Sequence, residues 1–160
     1  MTAIIPKRIV IDTNVCLDLF VFHDPRWQNL LEALKNGSLE AVCRSDCRAE
    51  WLAVLNYPHL PVSPATYEKI CQHYDANITC IAPAARTDLH LPSCSDKDDQ
   101  KFLEIARDGE AAFLITKDKA LLKLAKRLRK AGLFSILKPE DFLHTLQQIN
   151  PECALNQTKS

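Results

Sequence analysis

Glycine is scarce in this sequence of 160 residues, with only Gly37, Gly109 and Gly132 present. Phosphate-cradling loops and dinucleotide-binding fingerprints need several glycines close together, so neither kind of nucleotide site is encoded. The Gly-x-Ser-x-Gly motif of the α/β-hydrolases is also missing, which excludes their serine nucleophile. Any chemistry must therefore come from other side chains.

Long apolar runs are missing as well. No stretch approaches the roughly 20 residues of a membrane-spanning helix, and the opening MTAIIPKR has no apolar signal-peptide core. The seven cysteines form no Cys-x2-Cys pair, which argues against structural zinc, and their odd number and irregular spacing favour reduced thiols. We expect a soluble cytoplasmic protein with no membrane partner.

Net charge is absent too, because 20 basic residues balance 20 acidic ones. Such a protein does not hold nucleic acid through bulk electrostatics. The charge is nevertheless uneven, since residues 117–130 carry seven basic side chains and one acid. On one helix over 118–131, a stripe for tracking phosphates would consist of Lys119, Lys123, Lys126, Arg127 and Lys130. A solvated helix face is the alternative.

Short apolar runs predict five β-strands, at 8–12, 39–43, 78–82, 113–116 and 134–137. Helical periodicity fills most of the chain between them. Strands that alternate with helices pair in parallel through right-handed crossovers, which place helices on both faces of the sheet. The sequence therefore predicts an α/β fold, a three-layer α/β/α sandwich. One domain is expected over residues 1–150, followed by a flexible tail at 151–160.

Carboxylates follow two of the predicted strands. Asp12 ends the first and Asp118 comes after FLIT, so both are expected at the carboxyl-terminal edge, where parallel sheets bind ligands. Asp96 and Asp99 lie three residues apart at the start of a helix, and Glu50 lies among apolar residues of another. Each has a structural alternative, which is helix capping for the aspartates and a solvated face for Glu50.

Several carboxylates gathered within a few ångströms repel one another unless a cation compensates their charge. Ligands that are all oxygen favour Mg²⁺ or Mn²⁺ over zinc. At a sheet edge such ions serve phosphate chemistry, because they activate water and neutralise charge on the phosphoryl group. The pattern therefore predicts metal-dependent phosphoryl hydrolysis that needs no side-chain nucleophile.

Four segments, in order, resemble the PIN domain family of metal-dependent ribonucleases, which includes toxins of bacterial toxin–antitoxin systems. These segments are IVIDTNV, CRAEWLAVL, SDKDDQKFLEIA and FLITKDKALL, and with the elements between them they cover roughly residues 7–145. The resemblance implies a five-stranded parallel sheet. It also implies a catalytic, metal-binding acidic quartet of Asp12, Glu50, Asp99 and Asp118, with Asp96 as an additional metal ligand.

Two small polar side chains belong to the same resemblance. Asn14 in DTN and Thr116 in TKD match positions that support the metal site by hydrogen bonding. In SDKDDQKF the spacing allows either Asp98 or Asp99 to face the site. Asp99 is preferred because it lies seven residues before Ala106 on the buried helix face.

The resemblance implies an endoribonuclease that cleaves RNA with metal-activated water. It also implies a cognate antitoxin that blocks the acidic crevice, and self-association into a homodimer or higher homo-oligomer. Two other functions stay open. A phosphatase of the haloacid dehalogenase type would use Asp12 as its nucleophile, although Asn14 occupies the place of the usual second acid. A non-catalytic module would bind a cation or a basic partner on the same carboxylates.

Overall fold

The computed structural model describes residues 7–149, so the predicted domain end at 150 and the tail at 151–160 lie outside the described residues. Its strands pair entirely in parallel, in the order β3-β2-β1-β4-β5. They are β1 (Lys7–Ile11), β2 (Leu39–Cys43), β3 (Ile78–Cys80), β4 (Phe113–Ile115) and β5 (Ser135–Leu137). The predicted five-stranded parallel sheet is therefore confirmed.

Helices lie on both sides of this sheet, which confirms the predicted three-layer sandwich. They are α1 (Thr13–Phe20), α2 (Gln28–Lys35), α3 (Ser45–Val54), α4 (Pro64–Asn77), α5 (Gln100–Asp108), α6 (Lys119–Leu122), α7 (Ala125–Lys130) and α8 (Pro139–Ile149). Short 3₁₀ turns at Pro25–Trp27 and Lys97–Asp99 lead into α2 and α5. Within residues 7–149, no helix combines the length and apolar character needed to span a bilayer.

The core is built around the central strands β1 and β4. Ile9 and Leu114 are fully buried, as expected for a parallel strand covered on both faces. Helix α5 packs against both strands and contributes the buried side chains of Phe102, Leu103 and Ile105. Its strong apolar face follows from their spacing along one side of the helix.

The strand order reverses between β1 and β4. From β1 the chain moves to β2 and β3 on one side, whereas β4 leads to β5 on the other. Ligands in open α/β sheets bind at the carboxyl ends of the strands where this reversal opens a crevice. Ile11 pairs with Ile115 at that end, and the amide of Asp12 donates to the carbonyl of Ile115 at 2.9 Å. Asp12, the first candidate site residue, therefore lies at the crevice.

The single basic helix expected over 118–131 is wrong. The chain forms α6 and α7 instead, and the Leu124 amide donates to the carbonyl of Leu121 at 3.0 Å in a tight turn between them. Both helices contact β5, a strand of three residues that spans about 10 Å, whereas a straight helix over the same segment would span about 20 Å. The bend keeps both halves on the sheet.

Candidate active site

Asp12 follows β1 but is held by the neighbouring strand β4 and the residue after it. It is the N-cap residue of α1, yet its carboxylate makes no capping hydrogen bond. Its Oδ2 accepts a hydrogen bond from the hydroxyl of Thr116 at 2.6 Å, deep in the protein. Burial raises the pKa of Asp12, the Thr116 hydroxyl lowers it, and the charges of Asp118 and Glu50 raise it further. The side chain is thus positioned at the crevice and short of positive charge.

Thr116 connects the two carboxylates that follow β1 and β4. Its Oγ1 accepts from the backbone amide of Asp118 at 2.9 Å, so its one proton is directed to Asp12. Asp118 in turn caps α6, since one carboxylate oxygen accepts from the amide of Ala120 at 2.8 Å. Oδ1 serves as this helix cap, and Oδ2 has no capping role.

Two further aspartates, Asp96 and Asp99, converge on Asp118. One carboxylate oxygen from each of Asp96, Asp99 and Asp118 lies within 4.8 Å of the other two. Asp96 is exposed and accepts from the amide of Asp98, whereas Asp99 is buried at the entry to α5. The Oδ2 atom of Asp99 is buried without a hydrogen-bond partner among the described residues.

The position of Asp99 is electrostatically unfavourable for a charged carboxylate. Burial, a hydrogen bond shared with the Asp118 carboxyl group, and the charges of Asp118, Asp12 and Asp96 together raise the pKa of Asp99 to about 8. A buried carboxylate without a partner costs free energy unless it is protonated or a cation binds it. The cluster is therefore unfavourable by itself and suited to a positive ligand.

Glu50 departs from this pattern. Its Oε1 forms an ion pair with the Lys101 ammonium at 2.8 Å, and its Oε2 accepts from the Thr13 hydroxyl at 2.5 Å. Lys101 also donates to the carbonyl of Asp98. Sequence reasoning missed Lys101 and Thr13, because the partner of a carboxylate 37 or 51 residues away depends on how α1, α3 and α5 pack.

Of the remaining predicted site residues, Asn14 lines the crevice, and the basic residues lie elsewhere on the surface. A cavity of about 330 Å³ is lined by Asn14 together with Asp12, Glu50, Asp96 and Asp99. Asn14 is exposed there. Asp98 also borders this cavity, but its side chain is exposed whereas that of Asp99 is buried.

The basic residues lie on a separate, exposed segment. Lys119 is in α6 and Lys123 ends it, whereas Lys126, Arg127 and Lys130 are in α7. All five are exposed. Because Leu124 separates α6 from α7, these residues are divided between two helices and do not lie on the single helix that the sequence predicts. They remain a cationic surface close in sequence to Asp118.

The donor set fits a hard divalent cation. The clustered ligands are carboxylate oxygens, the donors that Mg²⁺ and Mn²⁺ prefer, and the unpartnered Asp99 oxygen is the group that such an ion would satisfy. Asp96, Asp99 and Asp118 converge closely enough to share one ion. Glu50 is already neutralised by Lys101 and lies outside this group of three.

The comparisons with known proteins fit this geometry. A family profile described as PIN domain matches residues 8–120, a range that includes all the clustered acids. The chain belongs to the PIN domain family. No protein with a curated description matches the sequence.

Solved structures share the PIN fold with this chain at low identity. VapBC2 from Rickettsia felis, bound to a DNA fragment from its promoter, is 15% identical with a TM-score of 0.55 over 82% of this chain and 98% of that chain. PAE2754 from Pyrobaculum aerophilum is 14% identical with a TM-score of 0.51 over 92% and 99%. The PIN domain endonuclease Utp24 is 19% identical with a TM-score of 0.48 over 83% and 85%. At these identities the likeness to VapBC2 and PAE2754 establishes the fold and nothing more.

Proposed function

We propose that this PIN domain protein is a Mg²⁺- or Mn²⁺-dependent endoribonuclease that hydrolyses RNA phosphodiester bonds with water. The observation that carries the proposal is the buried Asp99 oxygen without a partner, in a cluster with Asp96 and Asp118 at the carboxyl edge of the sheet. Membership of a nuclease family gives this cluster its chemical context. Both points favour hydrolysis of a phosphodiester over simple cation storage.

The residues of this site would divide the work of binding a metal. Asp96, Asp99 and Asp118 would hold it, and Asp12, whose charge acts on Asp99, would add a further carboxylate. A bound Mg²⁺ or Mn²⁺ supplies an activated water and neutralises charge on the phosphate. Thr116 fixes the Asp12 carboxylate through a hydrogen bond that it can make in only one direction.

Glu50 and Asn14 have different places in the same proposal. Lys101 and Thr13 engage both oxygens of Glu50, which fixes this carboxylate on the wall of the cavity. There it would accept a proton from a water or a hydrogen bond from the substrate, or serve as a ligand after Lys101 moves. The exposed amide of Asn14 lines the same cavity and would contact the substrate phosphate there.

The test is cleavage of single-stranded and structured RNA, including a panel of transfer RNAs, with Mg²⁺ or Mn²⁺. The wild-type protein should generate 5′-phosphate ends, and chelation of the metal should stop cleavage. The Asp12→Asn variant should be inactive while it keeps the wild-type circular dichroism spectrum. Equal cleavage by this variant and the wild type would remove the proposed site.

The two alternatives make different predictions at the same carboxylates. A phosphatase would form a phospho-enzyme on Asp12, but the family profile is that of a PIN domain and Asn14 lies where the second acid would be needed. A non-catalytic module would bind Mn²⁺ without cleaving RNA. Phospho-enzyme trapping and metal binding without cleavage therefore identify these two outcomes.

The toxin role and the partner are further parts of the proposal. VapBC2 of Rickettsia felis was solved with promoter DNA and has the same fold, which supports a cognate antitoxin for this chain. The carboxylate cluster has a shortage of positive charge that an antitoxin Arg or Lys would supply. Co-expression with the product of the neighbouring gene should yield a complex that is inactive until the partner is removed. We also propose a homodimer or higher homo-oligomer, which light scattering measures.

The exposed basic residues of α6 and α7 would contact the RNA backbone away from the metal. Changing Lys123 and Arg127 to Glu should weaken RNA binding and reduce its dependence on salt, because fewer phosphate counterions are released. Filter binding at several salt concentrations measures both effects. Unchanged salt dependence would remove this segment from the RNA-binding surface.

A further inference from the structure

Tyr57 is unusually exposed for a large aromatic residue. Among residues 7–149, the large apolar side chains that are strongly exposed are Phe22 and Tyr57, each at 51%. Tyrosine is a common anchor for ligands because its ring buries a large area and loses little conformational freedom on binding. An exposed ring near a site is therefore a candidate for binding.

The position of Tyr57 distinguishes it from Phe22. Tyr57 and His59 line the same cavity as Asp12, Glu50 and Asp99. Their ring centroids lie 5.8 Å apart with the planes at 37°. Phe22 follows the other end of α1, away from this cavity. The acidic crevice thus has an aromatic wall that takes no part in the proposed metal site.

The two rings are presented by a short, restrained turn. The Tyr57 amide donates to the carbonyl of Val54 at 3.0 Å, and the Leu60 amide donates to the carbonyl of Tyr57 at 3.1 Å. Pro58 follows Tyr57, where its fixed φ favours the turn. Leu55, which is buried, fixes the start of this segment in the core. The backbone that carries the rings therefore loses little freedom when a ligand binds.

The chemistry of the cavity decides what such rings would bind. A lysine or arginine on this wall would pair with the carboxylates and compete with the metal, as Lys101 does with Glu50. An aromatic ring holds a nucleotide by stacking on its base, without competing for those acids. A base is one ribose away from its phosphate, so a ring that shares the cavity with the metal ligands is placed for the nucleotide being cleaved.

We propose that Tyr57, supported by His59, is a platform on which an unpaired base beside the scissile phosphate stacks. The proposal rests on the ribonuclease function proposed above. Bases within a duplex are already stacked on their neighbours, whereas bases in loops and single strands are free to stack on a protein. Tyr57 is thus a positioning residue that selects flexible segments of RNA.

The test uses RNA with the fluorescent base 2-aminopurine at the cleavage position, in a background of Asp12→Asn that prevents turnover. Stacking on Tyr57 should quench the fluorescence of single-stranded RNA on binding. Tyr57→Ala should abolish the quenching and weaken binding by about 5- to 150-fold, the range measured for base–aromatic stacking. Tyr57→Trp should restore both. Phe22→Ala, which removes an equally exposed ring, should change neither.

Three results would overturn the stacking platform. Quenching and affinity that survive Tyr57→Ala would do so, as would equal losses on single-stranded RNA and on an RNA duplex. Failure of Tyr57→Trp to restore binding, with an unchanged melting temperature, would also exclude stacking. In each case cleavage by the unmutated protein leaves the proposed ribonuclease intact. An unmutated protein that neither binds nor cleaves RNA overturns the proposed function itself.

Discussion

A buried aspartate lies at each end of helix α5, and the pKa values of the two are shifted in opposite directions. Asp99 at its start and Asp108 at its end are each 8% exposed. Asp108 accepts from the Arg107 guanidinium at 2.7 Å and from the Arg86 amide at 2.8 Å. Burial would raise the pKa of Asp108, but these two partners outweigh it, so the pKa is lowered. Around Asp99, burial and the carboxyl groups of Asp118, Asp12 and Asp96 act in the same direction, and the pKa of Asp99 is raised.

Helix electrostatics alone would give the reverse. The amino-terminal end of a helix stabilises a negative charge and the carboxyl-terminal end destabilises one. Asp99 lies at the favourable end and Asp108 at the unfavourable end. The specific neighbours therefore decide both pKa values. Asp108 shows that a buried carboxylate in this fold can be paired with an arginine. We infer that the unpaired cluster around Asp99 is instead a binding site for a cation.

The largest expected effect is on RNA cleavage. Asp99→Asn removes a proposed metal ligand and should lower the rate by at least about 100-fold. Asp108→Asn changes an equally buried acid that is remote from the cavity, so its rate per folded molecule should stay within about twofold of wild type. Initial rates at saturating Mn²⁺ measure both variants. Similar losses in the two would show that burial, not metal binding, explains the effect.

Stability should respond in the opposite direction. Asp108→Asn leaves the Arg107 charge without its partner and should lower the free energy of unfolding by about 2–4 kcal/mol. Asp99→Asn relieves repulsion with Asp118 and should raise the stability of the metal-free protein at pH 8 by about 1 kcal/mol or more. Urea denaturation in the presence of a chelator provides the measurement. Loss of stability in both variants would contradict the assignment of Asp99 as an unpaired acid.

Thr116 tests the support of the cluster. Thr116→Val removes the donor to Asp12 and the acceptor for the Asp118 amide, so Mn²⁺ affinity should fall by about 10- to 100-fold. Thr116→Ser keeps the hydroxyl and should bind Mn²⁺ nearly as well as the wild type. Isothermal titration calorimetry distinguishes the two. Equal affinities for Thr116→Val and Thr116→Ser would mean that the hydroxyl does not support the site.

The most gradual difference between Asp99 and Asp108 is expected in how the free energy of unfolding depends on pH. The pKa of Asp99 rises from 3.8 to about 8 on folding, so the folded state binds its proton more tightly. This contribution to stability is complete below pH about 4 and is lost as the pH rises towards 8. Asp108 has a lowered pKa, so its contribution is present above the ordinary value of 3.8 and is lost as the pH falls below it. Denaturation of the metal-free protein from pH 5 to 8 should show a decline that Asp99→Asn flattens.

Much of the fold follows from the sequence because it depends on local pattern. The five strands are predicted from short apolar runs such as RIVID, and the structure places strands within a few residues of each prediction. Helix α1 is harder to predict, because TNVCLDLF is apolar on most sides and follows a strand directly. The bend between α6 and α7 is also invisible in the sequence, since the basic and leucine spacing fits one helix equally well.

The same distinction applies to the site, where residues placed by local pattern can be predicted and pairings that depend on packing cannot. Asp12 and Asp118 are predictable, because their place after adjacent strands fixes their position at the sheet edge. The pairing of Glu50 with Lys101 and Thr13 depends on how three helices pack, which no local pattern specifies. The same holds for the amide of Arg86 on Asp108 and for the approach of Asp118 to Asp99, because both come from other segments of the chain.

Mn²⁺ binding to matched variants tests the central claim most directly. Electron paramagnetic resonance of free Mn²⁺, titrated with wild-type protein, Asp99→Asn and Asp108→Asn, needs no RNA substrate. Wild type and Asp108→Asn should bind Mn²⁺ with similar affinity, and Asp99→Asn should bind it at least about tenfold more weakly. Wild-type affinity in Asp99→Asn would contradict the view that the unpaired carboxylate cluster is kept for a divalent cation.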